Sequence, residues 1–212
     1  VAEFLLVVYV SIRLKKHNLG TLMALRRLKW QVWLVVVLFL NSSARKPVFK
    51  SPLDIFKKTI AFQKYRFEAV TSATGAVREL VLKVFDNEQL LITIRQKIDG
   101  TILNAEVADL DRNGSPEVYL YSCTYGSGSF GRVYAFQFFP DSFGAISTET
   151  LTATQAEGYM GHDAFRIENG FLARKFPVYR PGDANAQPTG GTRSIGYELK
   201  EMQGKLVLLS KL

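Results

Sequence analysis

From residue 62 onward, apolar and polar residues alternate with a period of two, which predicts half-buried strands. Phe62–Val70 sets Tyr65, Phe67 and Ala69 against Lys64, Arg66 and Glu68. Leu80–Phe85 and Leu90–Ile98 continue the pattern, with Asp86-Asn87 as a tight turn between them. Asp99-Gly100 is a stronger hairpin signal, since type I′ turns need positive φ at both central positions. Thr101–Leu110 is therefore expected to pair back on Leu90–Ile98. Glu117–Cys123 and Arg132–Phe139 predict the central hairpin, closed by the loop Thr124–Gly131. Pro140–Gly144 reads as a turn, Ala145–Thr154 as a weaker strand and Glu157–Asp163 as a loop. Two more hairpins follow: Ala164–Glu168 with Phe171–Phe176 around Asn169-Gly170, and Ser194–Glu201 with Lys205–Leu209 around Gln203-Gly204. Between them lies the longest irregular stretch, Arg180–Thr192, which holds Pro181, Gly182, Pro188, Gly190 and Gly191. Leu53–Ile60 fits either a short helix or a first strand, and Thr71–Ala76 is a turn cluster. Short strands, regular turns and no long amphipathic helix predict an all-β fold. An antiparallel β-sandwich is expected, with a barrel-like arrangement as the alternative.

The first 44 residues break this rhythm. Met23 begins a basic stretch, Met-Ala-Leu-Arg-Arg-Leu-Lys, followed by the apolar run Trp30–Leu40 and then Asn41-Ser-Ser-Ala44. That order matches a cleaved signal peptide over residues 23–44. The run is about half of the ~20 residues that a membrane-spanning helix requires. Residues 1–22 lack a Met and read as upstream read-through. The expected mature protein is a single all-β domain over residues 45–212, exported to the periplasm, with a polar start over Arg45–Asp54. No lipobox cysteine follows the apolar run, so no lipid anchor is expected, and no stable membrane span after cleavage.

Charge narrows the partners. The net charge of +8 comes largely from residues 1–44, which hold six of the 27 basic residues and one of the 19 acidic ones. The remainder carries 21 basic against 18 acidic residues, with no basic cluster interleaved with aromatics. Nucleic acid is therefore not an expected partner. The sole cysteine, Cys123, excludes an internal disulfide and reads as a small core residue at a strand end.

Several catalytic patterns fail on inspection. His162 is the one histidine beyond residue 44, and its neighbour Asp163 would point to the opposite face of a strand, so a Ser-His-Asp triad is not expected. Gly126-Ser127-Gly128 precedes a strand rather than a helix, so it is no phosphate cradle. Acid pairs can be drawn among Asp109, Asp111, Glu117 and Asp163, but spacing along a chain says nothing of the separation that glycosidases need. No catalytic residue, cofactor or metal is assigned. Asp109, Asp111, Asn113 and Glu117 follow a D-x-D-x-N-G-x-x-E spacing. The preferred reading is an Asx-rich turn capped by its own side chains. The alternative is a periplasmic or surface β-domain that binds calcium or a glycan through these four residues.

The loop itself reads Thr-Tyr-Gly-Ser-Gly-Ser-Phe-Gly. Val107-Ala-Asp-Leu-Asp-Arg-Asn-Gly-Ser-Pro-Glu-Val118 followed by this loop resembles the bacterial periplasmic inhibitors of invertebrate-type lysozyme. The resemblance covers Val107–Phe139, with weaker likeness at Gly158–Asp163 and Arg174–Arg193. It implies a secreted, cysteine-poor, all-β, non-enzymatic domain whose exposed Ser-Gly-x-Tyr loop enters a lysozyme's substrate cleft. By position, Ser127 matches the motif serine, Gly128 its glycine and Phe130 its tyrosine. Phe130 keeps the ring and lacks the hydroxyl, a loss of about 0.5–1.5 kcal/mol where that hydroxyl would be bonded. The implied partner-binding set is Tyr125, Ser127, Gly128, Ser129 and Phe130, and the implied partner is a lysozyme, invertebrate-type first among the classes. A homodimer stays open.

Overall fold

The computed structural model describes residues 55–72 and 75–211. The expected read-through, signal peptide and polar start at residues 1–54 lie outside the described residues, as do parts of the Thr71–Ala76 turn. The described chain is all-β. In order it forms β1 (Lys57–Phe62), β2 (Tyr65–Thr71), β3 (Val77–Asp86), β4 (Gln89–Asp99), β5 (Thr101–Ala108), β6 (Glu117–Cys123), β7 (Gly131–Phe139) and β8 (Ser142–Thr148). A short helix α1 (Ala153–Ala156) precedes β9 (Ala164–Glu168), β10 (Phe171–Pro177), β11 (Thr192–Met202) and β12 (Lys205–Ser210).

The strands make two sheets. One is a meander of four, β1-β2-β3-β4; the other has eight, in the order β5-β6-β7-β8-β12-β11-β10-β9. The larger sheet curls until its end strands approach. Glu106 on β5 accepts a hydrogen bond from the Ile167 amide of β9 at 2.9 Å and another from Tyr121 Oη at 2.6 Å. β12 and β8 run parallel, an exception to the expected antiparallel pattern.

Two cores result, and β6 separates them. Val118 and Leu120 face the smaller sheet, packing with Phe67, Leu80, Leu82, Ile102, Phe136 and Phe138. Tyr119 and Tyr121 face the hollow of the curled sheet, with Leu172, Phe176, Ile195, Tyr197 and Leu208. A strand buried on both faces gains nothing from alternation, which is why Glu117–Cys123 reads as a nearly continuous apolar run. Each such side chain contributes on the order of 1.5–3 kcal/mol of burial.

The expected pairing of Thr101–Leu110 on Leu90–Ile98 does not occur. β4 ends the smaller sheet and β5 begins the larger one, pairing with β6 instead. Gly100 is the crossing point rather than half of a hairpin turn. Its φ is +75°, its amide donates to the Ala76 carbonyl at 2.7 Å, and a Cβ there would lie 1.8 Å from the Cys123 carbonyl oxygen. Only glycine fits that approach. Elsewhere the edges move. Phe62–Val70 is interrupted by a turn at Gln63 (φ +52°), so β1 ends at Phe62 and β2 begins at Tyr65. β8 starts at Ser142, inside the expected Pro140–Gly144 turn, and stops at Thr148. The end of the expected strand Ala145–Thr154 meets α1, whose capping box joins Thr152 and Gln155. The hairpins at Asn169-Gly170 and Gln203-Gly204 form as expected, with positive φ at all four residues.

Candidate functional site

β6 and β7 pair down to Cys123–Gly131, so seven residues, Thr124–Phe130, close the hairpin. The loop is tied across its own stem. The Thr124 amide donates to the Phe130 carbonyl at 2.9 Å, and the Phe130 amide returns a bond to Thr124 Oγ1 at 3.1 Å. Ser129, at φ +43°, donates its amide and its hydroxyl to the Gly126 carbonyl, both at 3.3 Å. The serine is thus spent on the turn.

Three side chains reach solvent at the tip. Ser127 is exposed, Phe130 is 46% exposed and Tyr125 is 39% exposed. The Phe130 ring folds back over Gly128 and meets the edge of Tyr159 at 5.7 Å between centroids. It is steadied on one side and open on the other. The Arg78 guanidinium lies 5.8 Å from the centre of the Tyr125 ring.

The segment Gly158–Asp163 buttresses the loop from beside. The His162 amide donates to the Gly128 carbonyl at 2.8 Å. Gly161 has φ +91°, and a Cβ on it would stand 1.9 Å from the Gly128 oxygen. No other residue permits the two backbones to approach so closely. From Arg180–Thr192, Asn185 Nδ2 donates to the Ser127 carbonyl at 2.8 Å. The backbone of Ser127 is therefore held while its hydroxyl faces water.

Beneath the loop lies a buried ion pair. The Asp163 side chain is fully shielded and that of Arg174 is 10% exposed. Asp163 Oδ1 accepts from Arg174 Nε at 2.7 Å, and Oδ2 accepts from the Gly131 amide and from Tyr159 Oη, each at 2.6 Å. Arg174 also donates to Tyr159 Oη at 2.9 Å and lies between the rings of Tyr159, Phe165 and Phe176. Burial and the neighbouring Asp163 push the Tyr159 phenol well above its ordinary range, so it stays a donor. Gly131 is the last stem residue, so this pair anchors the point where loop becomes strand.

His162 takes no part in a triad. It is exposed at φ +61°, its ring lies near Tyr179, and its neighbour Asp163 is committed to Arg174. Cys123 is half-buried, and burial raises its thiol pKa.

A second cluster sits between β5 and β6, where Asp109, Asp111 and Glu117 come within 4.8 Å of one another. Asp163 is not among them. The expected Asx turn is present: Asp109 accepts the amides of Asn113 and Gly114, and Asn113 Oδ1 accepts the Ser115 amide at 2.7 Å. Glu117 is fully buried, accepting from the Leu110 amide and from Gln137 Nε2. Burial pushes its carboxyl up to about 7.

Asp163, Arg174, Gly161, Asn185 and Gln137 carry much of this architecture and were not assigned from sequence. The likeness at Gly158–Asp163 and Arg174–Arg193 was the available signal for all but Gln137. No family model matches the chain, and no curated protein matches it.

Proposed function

We propose that this chain is an exported, non-enzymatic inhibitor of lysozyme that inserts the loop Gly126–Phe130 into the enzyme's substrate cleft. The observation that carries the reading is the pairing of an exposed Ser127 and a half-exposed Phe130 on a loop whose backbone is tied at both stems. A lysozyme cleft holds two carboxylates that act on the glycosidic bond. The Ser127 hydroxyl, which has no partner within the described residues, can donate to such a carboxylate, and a charged acceptor strengthens that bond. The Phe130 ring can fill a sugar subsite with apolar area at low entropic cost. The bracing by Gly161, Asn185 and the Asp163–Arg174 pair means little order remains to be imposed on docking.

Resemblance to the periplasmic inhibitors of invertebrate-type lysozyme over Val107–Phe139 supports that class as the first target. The missing Phe130 hydroxyl makes affinity for it lower than a tyrosine at this position would give. The test is lysis of bacterial cell walls by invertebrate-, goose- and chicken-type lysozymes with and without the purified protein. Inhibition of the invertebrate type supports the reading. A folded protein that inhibits none of the three contradicts it.

A further inference from the structure

Among the described residues, no cationic side chain is ion-paired with the acid cluster. Three carboxylates lie within 4.8 Å, and no ion pair among the described residues reaches any of them. Arg112, adjacent in sequence, extends toward Gly170 instead. Hydrogen bonds from the turn satisfy lone pairs but leave the two aspartate charges unbalanced.

A second observation points the same way. Gln137 on β7 is fully buried, and its amide reaches into the cluster, with Nε2 2.9 Å from both Asp111 Oδ2 and Glu117 Oε1. Its Oε1, on the same amide, is buried without a hydrogen-bond partner. It is one of five buried side-chain polar atoms without a partner among the described residues, and the one whose amide also reaches the acid cluster. The two ends of an amide have nearly the same shape, so half a turn exchanges donor for acceptor. That rotation would offer an oxygen to an ion and free two carboxylate oxygens to do the same. The rotation would bring the orphan oxygen to the ion and set the amide N–H in its former place, while the ion would balance the carboxylate charge.

We propose that Asp109, Asp111, Glu117 and the amide oxygen of Gln137 form a calcium site that ties the β5–β6 connection to β7. All four are hard oxygen donors, and calcium accepts six to eight of them in irregular geometry, with water completing the shell. The half-exposed aspartates leave room for that water, and a cleft of 540 Å³ lined in part by Asp111 and Gln137 opens beside them. Magnesium demands a stricter octahedron and is disfavoured here. The site does not depend on the role of the Gly126–Phe130 loop.

The experiment is calorimetric titration of the chelator-treated full chain with calcium chloride, and separately with magnesium chloride. One calcium per chain is expected, with a Kd of roughly 10⁻⁴–10⁻³ M, as in extracellular modules. Asp109→Asn with Asp111→Asn should weaken it at least tenfold, and Gln137→Met should weaken it measurably. Terbium luminescence sensitised by Tyr119, whose hydroxyl lies 3.4 Å from Glu117, gives a second readout on the unaltered protein. The proposal is overturned if the folded wild type binds no calcium up to about 10 mM, well above the weakest such sites. Equal affinity for magnesium, or full retention of binding by the double variant, overturns it as well.

Discussion

At the tip, Ser127 presents a hydroxyl and Phe130 an apolar ring. Truncating both should raise the inhibition constant by about 30-fold or more, the cost of losing roughly 2 kcal/mol at a hot spot. Stability should change little, since Ser127 is exposed and Phe130 is half exposed at the loop tip. Asp163→Asn should behave in the opposite way. It strands the Arg174 guanidinium in a site that is 10% exposed, a loss on the order of 3–5 kcal/mol. Urea unfolding would read that loss directly. Gly161→Ala should loosen the loop, because its added Cβ strikes the Gly128 carbonyl and its φ of +91° strains any side chain. Weakened inhibition with a small change in unfolding midpoint is the expected outcome. The tip residues were legible in the sequence because a small-residue loop between two strands has to project. The brace was not. Asp163 and Arg174 stand eleven positions apart on different elements, and nothing in a linear pattern announces that a loop-like aspartate has a fully shielded side chain.

At the level of elements, β6 decides where everything else goes. Its odd and even positions serve different cores, so a cavity on either face is expected to be costly. Leu120→Ala should cost about 2–5 kcal/mol, as large-to-small changes in closed cores do, and denaturant unfolding measures it. Removing the α1 cap, Thr152→Ala, should cost only about 1 kcal/mol, since that helix is four residues long and buries no side chain. The hairpins with Asn169-Gly170 and Gln203-Gly204 could be read from sequence because local φ requirements fix them. Asp99-Gly100 carries the same local signature and does something else. There a tertiary contact, the Cys123 carbonyl pressed against Gly100, selects glycine for closeness rather than for a turn. Local chemistry marks that a bend exists, while the partner of the next strand is set by which face remains to be covered. The T-x-x-Q spacing of the α1 capping box, Thr152–Gln155, overlaps the end of the expected strand Ala145–Thr154, and no helix was expected there.

Across the whole described molecule, the strand β6 and its neighbours are shared by two cores, so the two sheets should not melt separately. Far-ultraviolet signals from strands and near-ultraviolet signals from the buried tyrosines Tyr119, Tyr121 and Tyr197 should lose amplitude at one midpoint. A loop braced at its stem and from beside suits presentation to a partner better than a surface that must reshape on contact. The all-β class was legible because period-two patterning survives over most of the chain. The division into four and eight strands was not, since alternation reports a buried face without saying which sheet covers it. The central claim is that the Gly126–Phe130 loop occupies a lysozyme's substrate groove. Steady-state inhibition of an invertebrate-type lysozyme on a soluble chitooligosaccharide tests it most directly. A competitive pattern is expected, with the apparent KM rising and kcat unchanged, and it should be lost in the Ser127→Ala, Phe130→Ala double variant. Inhibition that leaves KM untouched, or that survives intact in the folded double variant, would contradict it.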